Sequence, residues 1–351
     1  MEGISRYFHG IPTVFPRSSL GLHAVFTRFA GMGSGEGSNG KVWSIISCYM
    51  DIYEKLRKEI RGEVKRNEPL AKYTSYQIGG PADVLAFPAE QADVLKAMEI
   101  ARESEQPLFV MGGGTNLLIR DGGIRGVVVN LTSYLPEKVE DMEDGTALRA
   151  YAGMKMVCLS SAALERSLAG LEFAAGIPGT VGGGVVMNAG SFGSEMKDIL
   201  VCTTVVTKEG QLKTLERAGL RMGYREVSLP DGSTVLEAVV RLKRGDREVI
   251  HKTIVDWNRK RKEAQPLDLP SAGSVFRNPE GRKARELIQE AGLSGYRVGG
   301  AQVSTKHGNF IVNSGGARAS DVIAVIQEVQ ERVFKQFGVA LKMEVKIVGD
   351  A

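Results

Sequence analysis

The chain has 351 residues, enough for two or three domains with a large buried core. Its 45 basic and 41 acidic side chains leave a formal net charge of +4, which excludes a strongly basic nucleic-acid binder but fits a site for an anionic metabolite. The three cysteines, Cys48, Cys158 and Cys202, are too few and too widely spaced for a disulfide framework or a metal site, and they favour a reducing cytoplasm.

The first 50 residues differ in composition from the rest of the chain. Only Glu2 and Glu36 are acidic there, and GMGSGEGSNGK at 31–41 is a flexible, low-complexity patch. Such a leader is typical of a transit peptide, or it arises when the start codon is assigned too early and Met50 is the true start. The second origin is favoured. In either case we expect little order before about residue 50, and no apolar run of the chain is long enough to span a bilayer.

Residues 51–130 alternate between helical and strand patterns. They predict a charged helix over 51–66, a strand over 84–87, a helix over 90–105, and strands over 108–111 and 127–130. A glycine loop at 112–116 follows the strand over 108–111, but it lacks the Gly-Lys-Ser/Thr of a P-loop, and no long helix starts after it as in a Rossmann fingerprint. This order predicts a small α/β unit in which loops between strands hold the ligand.

A second glycine-rich segment, GIPGTVGGGVVMNAGSFG at 176–193, contains seven glycines in 18 residues. Strands are predicted on either side, over 148–153, 201–208 and 235–242, with a helix over 157–169 before the segment. Consecutive bare amides can form a concave anion site, so two such loops suggest a long ligand with a pyrophosphate. A pair of tight turns in a β-rich protein explains the same glycines. The polar break at 243–246 is the predicted domain boundary.

The last hundred residues carry a different pattern. Helices are predicted over 248–262 and 283–291, with a turn and strand over 271–277 between them. Ser320 is a plausible N-cap for a long helix that Gly338 closes. A terminal strand is predicted over 341–348, with Leu341, Met343, Val345 and Ile347 on one face and Lys342, Glu344 and Lys346 on the other.

Seven segments occur in the order that one enzyme family shows: TSYQIGGPADVL (74–85), GGGTNLLIRDGGIRGVVVNL (112–131), AGIPGTVGGGVVMNAGSFG (175–193), GYR (223–225), PSAGSVFRNP (270–279), GLSGYRVGGAQVSTKHGNFIVN (292–313) and MEVKIVG (343–349). They resemble the bacterial UDP-N-acetylenolpyruvoylglucosamine reductase (MurB) family of flavoenzymes. Each segment alone is a weak signal, whereas seven in register are specific. The resemblance covers residues 67–349 and leaves the leader outside it.

The resemblance implies an α+β fold with an FAD-binding domain of the vanillyl-alcohol-oxidase (PCMH) type, in two subdomains over 51–245, and a C-terminal α+β substrate-binding domain over 246–351. It implies non-covalent FAD with its pyrophosphate on the glycine loops, NADPH as reductant, and no metal. The implied reaction converts UDP-N-acetylglucosamine-enolpyruvate to UDP-N-acetylmuramate in peptidoglycan synthesis, which supports cell-wall formation, cell shape and cell division. Hydride passes from flavin N5 to C3 and a proton adds at C2. The expected partner is this UDP-sugar alone, with no nucleic acid, and the expected state is a cytoplasmic monomer.

That chemistry needs a cation beside the charge that develops on C2 and the carboxylate, and an acid on the C2 face. By motif match, Arg225 would stabilise the enolate, Ser274 would donate the proton to C2, and Glu344 would be the second charged partner. Each residue has an ordinary alternative from sequence alone. Arg225 would be an exposed loop arginine, Ser274 a turn serine, and Glu344 part of the polar face of an edge strand.

The remaining site residues are carried over from the family in the same way. Tyr224, Asn278 and Glu290 would bind substrate, and the basic cluster Arg259, Lys260, Arg261 and Lys262 suits the nucleotide diphosphate, without a choice among the four. The predicted cofactor-binding residues are those of both glycine segments: Gly112, Gly113, Gly114, Thr115, Asn116, Gly176, Gly179, Thr180, Gly182, Gly183, Asn188 and Gly190.

The sequence departs from the family pattern at two places, and two other interpretations of its function compete with the resemblance. Lys346 stands where the family pattern has arginine, and the short segment between Tyr224 and Trp257 is typical of the branch that lacks a tyrosine-bearing loop. The nearest rival is another FAD-dependent oxidase or dehydrogenase on the same scaffold. No histidine falls within 67–245, which excludes a histidyl link to flavin there but leaves Cys158 and Cys202. The second rival, a sugar-nucleotide-binding module without flavin, disagrees with the intact glycine loops.

Overall fold

The computed structural model of the protein describes residues 51–142 and 144–351, so the leader predicted over 1–50 lies outside the described residues. The helices are α1 Ile52–Glu59, α2 Gln91–Glu103, α3 Met156–Glu165, α4 Val181–Val186, α5 Met196–Ile199, α6 Arg247–Ala264, α7 Ala284–Glu290 and α8 Ala319–Phe337. The strands are β1 Glu63–Pro69, β2 Pro81–Phe87, β3 Leu108–Met111, β4 Leu117–Ile119, β5 Ile124–Asn130, β6 Val139–Asp141, β7 Ala147–Tyr151, β8 Leu168–Ala169, β9 Gly190–Ser191, β10 Ser194–Glu195, β11 Leu200–Val206, β12 Leu212–Glu216, β13 Met222–Gly223, β14 Glu226–Val227, β15 Thr234–Arg241, β16 Lys243–Arg244, β17 Arg297–Val298, β18 Ala301–Val303, β19 Ile311–Asn313 and β20 Lys346–Val348.

The first sheet has the strand order β1-β2-β5-β3, with β2, β5 and β3 parallel and β1 antiparallel at the edge. Helix α2 makes the crossover between β2 and β3, which confirms the β-α-β order predicted for residues 84–111. Side chains of β2 and β5 alternate between two buried clusters. Val84 and Val127 face the cluster shared with the second sheet, whereas Leu85 and Val128 face a smaller cluster on the opposite side.

The second sheet is antiparallel throughout, in the order β12-β11-β15-β7-β6. Its strands β7, β11 and β15 are those predicted over 148–153, 201–208 and 235–242, shifted by one or two residues. Apolar residues from both sheets and from helices α1 to α3 form one hydrophobic cluster. The two sheets with their helices therefore confirm the predicted α+β class and provide the two layers on which the glycine segments lie.

The C-terminal region has its own hydrophobic cluster around helices α7 and α8 and the three-stranded antiparallel sheet β17-β18-β19. Tyr76 and Ile78, which precede β2, and Leu118 of β4 are buried in this cluster too. Helix α6 instead packs against α3 and against the 3₁₀ turn Glu172–Ala174, and Trp257 of α6 contacts the first cluster. The domain boundary at 245 stays a prediction. The structure shows which hydrophobic cluster each element joins.

Two predicted helices end earlier than expected because the chain turns into a paired strand. The helix predicted over 51–66 stops at Glu59, since residues from Glu63 onward pair with β2, and a Cβ on Gly62 would overlap the carbonyl oxygen of Phe87. The helix predicted over 157–169 stops at Glu165. Ser167 takes a positive φ of 53°, and Leu168–Ala169 pairs with β16.

The long C-terminal helix and the last strand also differ from prediction. Helix α8 begins at Ala319 with Arg318 as N-cap rather than Ser320, because Asp121 accepts the amide protons of Ala319 and Ser320. Gly338 closes it in the left-handed conformation, as predicted. Of the strand predicted over 341–348, Lys346–Val348 pairs parallel to β4, and Met343 forms a single antiparallel bridge with Phe276.

Candidate active site

The two glycine segments singled out in the sequence lie against each other. Thr115 Oγ1 donates to the carbonyl oxygen of Pro178 at 3.3 Å, and a Cβ added to Gly113 would lie 3.5 Å from Cα of Gly179. A Cβ added to Gly112 would overlap the hydroxyl oxygen of Thr180. The two predicted cradles therefore form one surface, with the Thr180 side chain at its centre.

The second segment, predicted as a loop, contains the short helix α4. Thr180 is its N-cap, and Thr180 Oγ1 accepts from the amide of Gly183 at 3.4 Å. Gly182 faces the interior, with its amide bonded to Ala152 O at 3.1 Å. Gly183 is exposed, and 3.7 Å separates an added Cβ from its nearest non-neighbouring atom, Thr180 Oγ1. Gly113 and Gly183 thus leave room beside Thr180 for a phosphate group to approach the backbone.

Other members of the predicted cofactor-binding set connect the glycine segments to the predicted catalytic residues. Asn188 is fully buried; its Nδ2 donates to Gly223 O at 2.8 Å and its Oδ1 accepts from Lys197 N at 2.9 Å. Asn116 Nδ2 donates to the carbonyl oxygen of Glu344 at 3.1 Å. Both amides have protein partners and hold backbone in place. Contact of the predicted set with a cofactor stays a prediction.

Arg225 lies in the tight turn between β13 and β14, with a positive φ of 58°. A residue with a side chain is strained in this left-handed region, and such strain is typical of functional sites. Its Nε donates to Glu344 Oε1 at 2.8 Å, and Nη1 and Nη2 donate to the carbonyl oxygens of Asn188 (3.5 Å) and Gly190 (2.9 Å). The guanidinium is therefore fixed between the second glycine segment and the C-terminal region.

Glu344 does not lie on a solvated strand face, as the alternation of residues 341–348 predicted. Its side chain is 14% exposed, whereas the neighbouring Met343 is 40% exposed. Burial raises the pKa of Glu344, and the cations Arg225 and Arg277 oppose this shift only in part. The chain turns Glu344 inward because its charge has a partner there, which hydrophobic periodicity does not report.

Ser274 precedes a segment that is hydrogen-bonded to the Glu344 segment backbone to backbone. The amide of Glu344 donates to Val275 O at 2.8 Å, and the amide of Arg277 donates to Lys342 O at 2.8 Å. Ser274 itself is half-buried. Arg225 and Glu344, predicted from motifs 119 positions apart, are thus bonded to each other, and Ser274 is the residue before Val275, which is bonded to Glu344.

Asn309 is a positioning residue that the sequence reasoning missed. Its Oδ1 accepts from Phe276 N at 2.9 Å and its Nδ2 donates to Phe276 O at 2.8 Å, while its own carbonyl accepts from Val275 N at 2.9 Å. The residue is 4% exposed. It therefore clamps the backbone just after Ser274. An asparagine beside the apolar run 310–312 was the available signal, since a buried amide needs nearby partners.

Arg277 was also missed. Its Nη2 donates to the carbonyl oxygen of Arg225 at 3.3 Å, and its Nη1 lies 3.5 Å from Glu226 Oε2. Its Nε is buried without a protein partner. Arg277 therefore supports the strained turn that carries Arg225 and adds a second positive charge near Glu344. A cation three residues after Ser274 was the signal in the sequence.

The predicted substrate-binding residues have varied surroundings. Tyr224 is 43% exposed, and the guanidinium carbon of Arg225 lies 5.0 Å from its ring centroid. Asn278 Oδ1 accepts from Ala284 N at 3.0 Å and so caps α7. Glu290 pairs with Arg282 at 2.8 Å on the surface. Tyr224 is thus next to the assembly. Substrate contact by all three stays a prediction.

The structure separates the four members of the basic cluster on α6. Arg259 forms surface ion pairs with Asp256 and Glu263, and Lys260 and Lys262 are exposed. Arg261 is largely buried, and its Nη1 has no protein partner. A Cβ on Gly176, the first glycine of the second segment, would lie 2.9 Å from that Nη1. Burial, and then the nearby charge of Arg225, lower the pKa of Arg261. A buried guanidinium without a partner is suited to an anionic ligand.

The charges around Glu344 give a testable pH dependence. Replacing Arg277 with Met removes a cation that stabilises the carboxylate, so we expect the pKa of Glu344 to rise further. Because the folded state then holds the Glu344 proton above the unfolded-state pKa, unfolding free energy should fall as pH rises through that window. A ¹³C NMR titration of the glutamate carboxyls, assigned with Glu344→Gln, measures the shift. Arg277→Lys should keep it near the original value, and an unchanged pKa in Arg277→Met would contradict this reading.

Two features are absent from the described residues. Every helix within 51–142 and 144–351 is too short or too polar to span a lipid bilayer. Within the same ranges no three His, Cys, Asp or Glu side chains come together as a metal site would require.

Two family models match the chain. Residues 82–216 match an FAD binding domain, and residues 265–348 match the C-terminal domain of UDP-N-acetylenolpyruvoylglucosamine reductase. The first match contains the paired glycine segments, and the second contains Ser274 and Glu344. The second match begins after helix α6. That helix packs with the first hydrophobic cluster rather than with the C-terminal one.

Known proteins resemble the chain over most of its length. A UDP-N-acetylenolpyruvoylglucosamine reductase from Caldanaerobacter subterraneus is 44% identical over 301 residues, covering 85% of this chain and 98% of that protein. One from Agathobacter rectalis is 47% identical over 296 residues, covering 81% and 94%. The crystal structure of the Thermus caldophilus enzyme (MurB) superposes with a TM-score of 0.70 at 35% identity, covering 82% of this chain and 99% of that one.

Proposed function

Because the chain belongs to the UDP-N-acetylenolpyruvoylglucosamine reductase family, we propose that it reduces the enolpyruvyl ether of UDP-N-acetylglucosamine-enolpyruvate to the D-lactyl ether of UDP-N-acetylmuramate. The observation that supports this most directly is the single assembly formed by Arg225, Glu344 and the Ser274 segment beside the paired glycine segments. We propose NADPH as the reductant. The overall reaction then balances, with one hydride from NADPH and one proton adding across the C2–C3 double bond.

The family model supports FAD as the cofactor, and the glycine surface fits it. Gly112, Gly113, Gly179, Thr180 and Gly183 would face the pyrophosphate, because their backbones border the space around the Thr180 side chain. When bound, FAD supplies hydride transfer from N5 to C3, a reaction that no side chain of the protein can perform. The lack of histidine over 67–245 agrees with non-covalent binding.

Arg225 is proposed to bind the substrate carboxylate and to stabilise the negative charge that develops on it. Its guanidinium is fixed by the carbonyl oxygens of Asn188 and Gly190, so little reorganisation is needed as charge develops. Its bond to Glu344 would also keep it oriented before substrate arrives. A single such donor is typically worth on the order of 10²–10³ in rate.

Ser274 is proposed to donate the proton to C2. A serine hydroxyl is a weak acid, so it needs nearby positive charge and a better acid to restore its proton. Glu344 suits the second task because its pKa is raised by burial and its segment is hydrogen-bonded to that of Ser274. The proton consumed in the reaction would thus pass from Ser274 to C2 and be replaced from Glu344 or solvent.

Arg261 is proposed to bind the substrate diphosphate, with Tyr224, Asn278 and Glu290 as further substrate contacts. Of the basic cluster it is the buried member with an unpaired guanidinium nitrogen, and it lies against Gly176. A diphosphate would give that nitrogen a charged partner.

Arg261→Met should therefore raise the KM for the UDP-sugar by roughly 10- to 100-fold, the equivalent of one charge-assisted hydrogen bond. We expect the FAD content to stay normal. Steady-state kinetics measure the effect, with Lys260→Met, an exposed neighbour on the same helix, as control. An equal change in KM for both variants would remove Arg261 from the diphosphate site.

The reductase activity is tested by following NADPH absorbance with and without the enolpyruvyl UDP-sugar, with mass spectrometry of the product. We expect substrate-dependent oxidation of NADPH and a product two mass units heavier than the substrate. The rival oxidase would instead consume oxygen in the absence of that substrate.

Parallel assays with NADH test the nucleotide preference, and size-exclusion chromatography tests the proposed monomer. A cytoplasmic location is likewise proposed, and fractionation of the source cells tests it.

A further inference from the structure

Phe192, near the end of the second glycine segment, has a conformation and exposure that its packing does not require. Its φ is +53°, a value that is unusual for a bulky residue, and it is 45% exposed. A large aromatic ring that is half in solvent and on a strained backbone has a cost in stability. Such a cost is typically retained where the side chain contacts a ligand.

Trp257 of α6 supports Phe192 from behind. The two rings are stacked, with centroids 4.9 Å apart and planes 16° from parallel. Trp257 in turn packs against the first hydrophobic cluster. A ring stacked on one face and partly exposed offers a flat, oriented aromatic surface. Planar heteroaromatic groups such as nucleobases bind to such surfaces, and the interaction tolerates different bases.

The stack lies on the same face of α6 as Arg261. Trp257 and Arg261 are four residues apart, so their side chains are neighbours on the helix. Gly190, two residues before Phe192, holds Arg225 through its carbonyl oxygen at 2.9 Å. The aromatic pair therefore lies two residues along the chain from the glycine that holds Arg225, and one helical turn from the buried arginine with an unpaired nitrogen. An aromatic surface one helical turn from an anion site matches a base attached to a diphosphate.

We propose that Phe192, supported by Trp257, is a stacking platform for the nucleobase of a nucleoside diphosphate whose phosphates contact Arg261. This inference rests on the proposed function for the identity of that ligand. Two sources carry the same chemistry, namely the UDP end of the sugar substrate and a nucleotide half of NADPH. Phe192 would then be a specificity residue that selects nucleotide-linked ligands over other phosphorylated compounds.

The test is isothermal titration of the FAD-loaded full chain with UDP and, separately, with inorganic pyrophosphate. Phe192→Ala and Phe192→Leu should weaken UDP binding roughly tenfold and leave pyrophosphate binding unchanged. Phe192→Tyr should restore UDP affinity, because it keeps the ring. Arg261→Met should weaken both ligands. Phe334→Ala removes another exposed phenylalanine, 58% exposed on α8, and should change neither.

Steady-state and flavin-reduction kinetics of Phe192→Ala distinguish the two sources of the nucleobase, the UDP-sugar and NADPH. A higher KM for the UDP-sugar in Phe192→Ala, with unchanged flavin reduction by NADPH, assigns the platform to the substrate. A loss confined to NADPH assigns it to the reductant. If UDP, UDP-sugar and NADPH all bind Phe192→Ala as well as the original protein, the platform is overturned while the reductase activity stands. If the original protein does not oxidise NADPH with the UDP-sugar, the proposed function fails, and UDP titration still decides whether the ring binds a base.

Discussion

Ser274→Ala should leave reduction of the bound flavin by NADPH nearly unchanged while slowing its reoxidation by the enolpyruvyl UDP-sugar at least ~10³-fold. The physical reason is that the hydroxyl is needed only when a proton adds to C2, a step that the NADPH half-reaction does not contain. Anaerobic stopped-flow absorbance at the flavin band measures the two half-reactions separately.

The structure supplies a matched control for this variant. Ser271→Ala changes another serine of the same segment, three residues earlier, and should affect neither half-reaction by more than a small factor. Asn309, which clamps Phe276 through both side-chain atoms, gives the opposite control, because Asn309→Ala should displace Ser274 without removing its hydroxyl. Equal slowing of both half-reactions in Ser274→Ala would remove this serine from the proton-donor role.

Gly183→Val should yield a folded protein that is purified almost without FAD. The nearest non-neighbouring atom to an added Cβ is Thr180 Oγ1 at 3.7 Å, so the chain itself accommodates the side chain. The added methyl groups would instead occupy the space beside Thr180 where we place the pyrophosphate. The ratio of flavin to protein absorbance measures occupancy, and circular dichroism melting measures folding.

The choice of glycine decides what this experiment shows. Gly182→Val would also be expected to lose FAD, but a Cβ there would lie 2.8 Å from Cβ of Ala152, so misfolding would explain the loss equally well. Gly219→Val is the control, because a Cβ there meets nothing within 4 Å and its turn is remote in sequence from the glycine segments. Full flavin occupancy in Gly183→Val, with a normal melting curve, would mean that the cradle lies elsewhere.

Local patterns predicted those parts of the fold whose hydrophobic periodicity is strong. The strand over 108–111 and the helix ended by Gly338 agree with the structure because their side chains face one core with regular spacing. The predictions were wrong where a distant partner decides. Residues 63–66 read as helix but pair with β2, and Glu344 reads as solvated but turns toward Arg225. Neither partner is adjacent in sequence.

In the candidate site, too, local patterns predicted some features, whereas others depend on partners that are distant in sequence. The glycine segments were visible as composition, yet their contact through Thr115, Thr180 and Pro178 required the fold. Among four basic residues on α6 the sequence offered no choice, since burial and the missing partner of Arg261 Nη1 are properties of packing. Arg277 and Asn309 went unnoticed because each acts on the backbone of another residue, at Arg225 and at Phe276.

The proposed function requires that the protein bind FAD between its glycine segments and use it to reduce an enolpyruvyl UDP-sugar. The most direct test is the flavin absorbance of the purified chain, recorded without oxygen as NADPH and then UDP-N-acetylglucosamine-enolpyruvate are added. We predict a yellow protein that NADPH bleaches and the sugar nucleotide restores to its first spectrum. A colourless protein that does not take up added FAD, or a bleached flavin that the sugar nucleotide leaves bleached, would contradict the account.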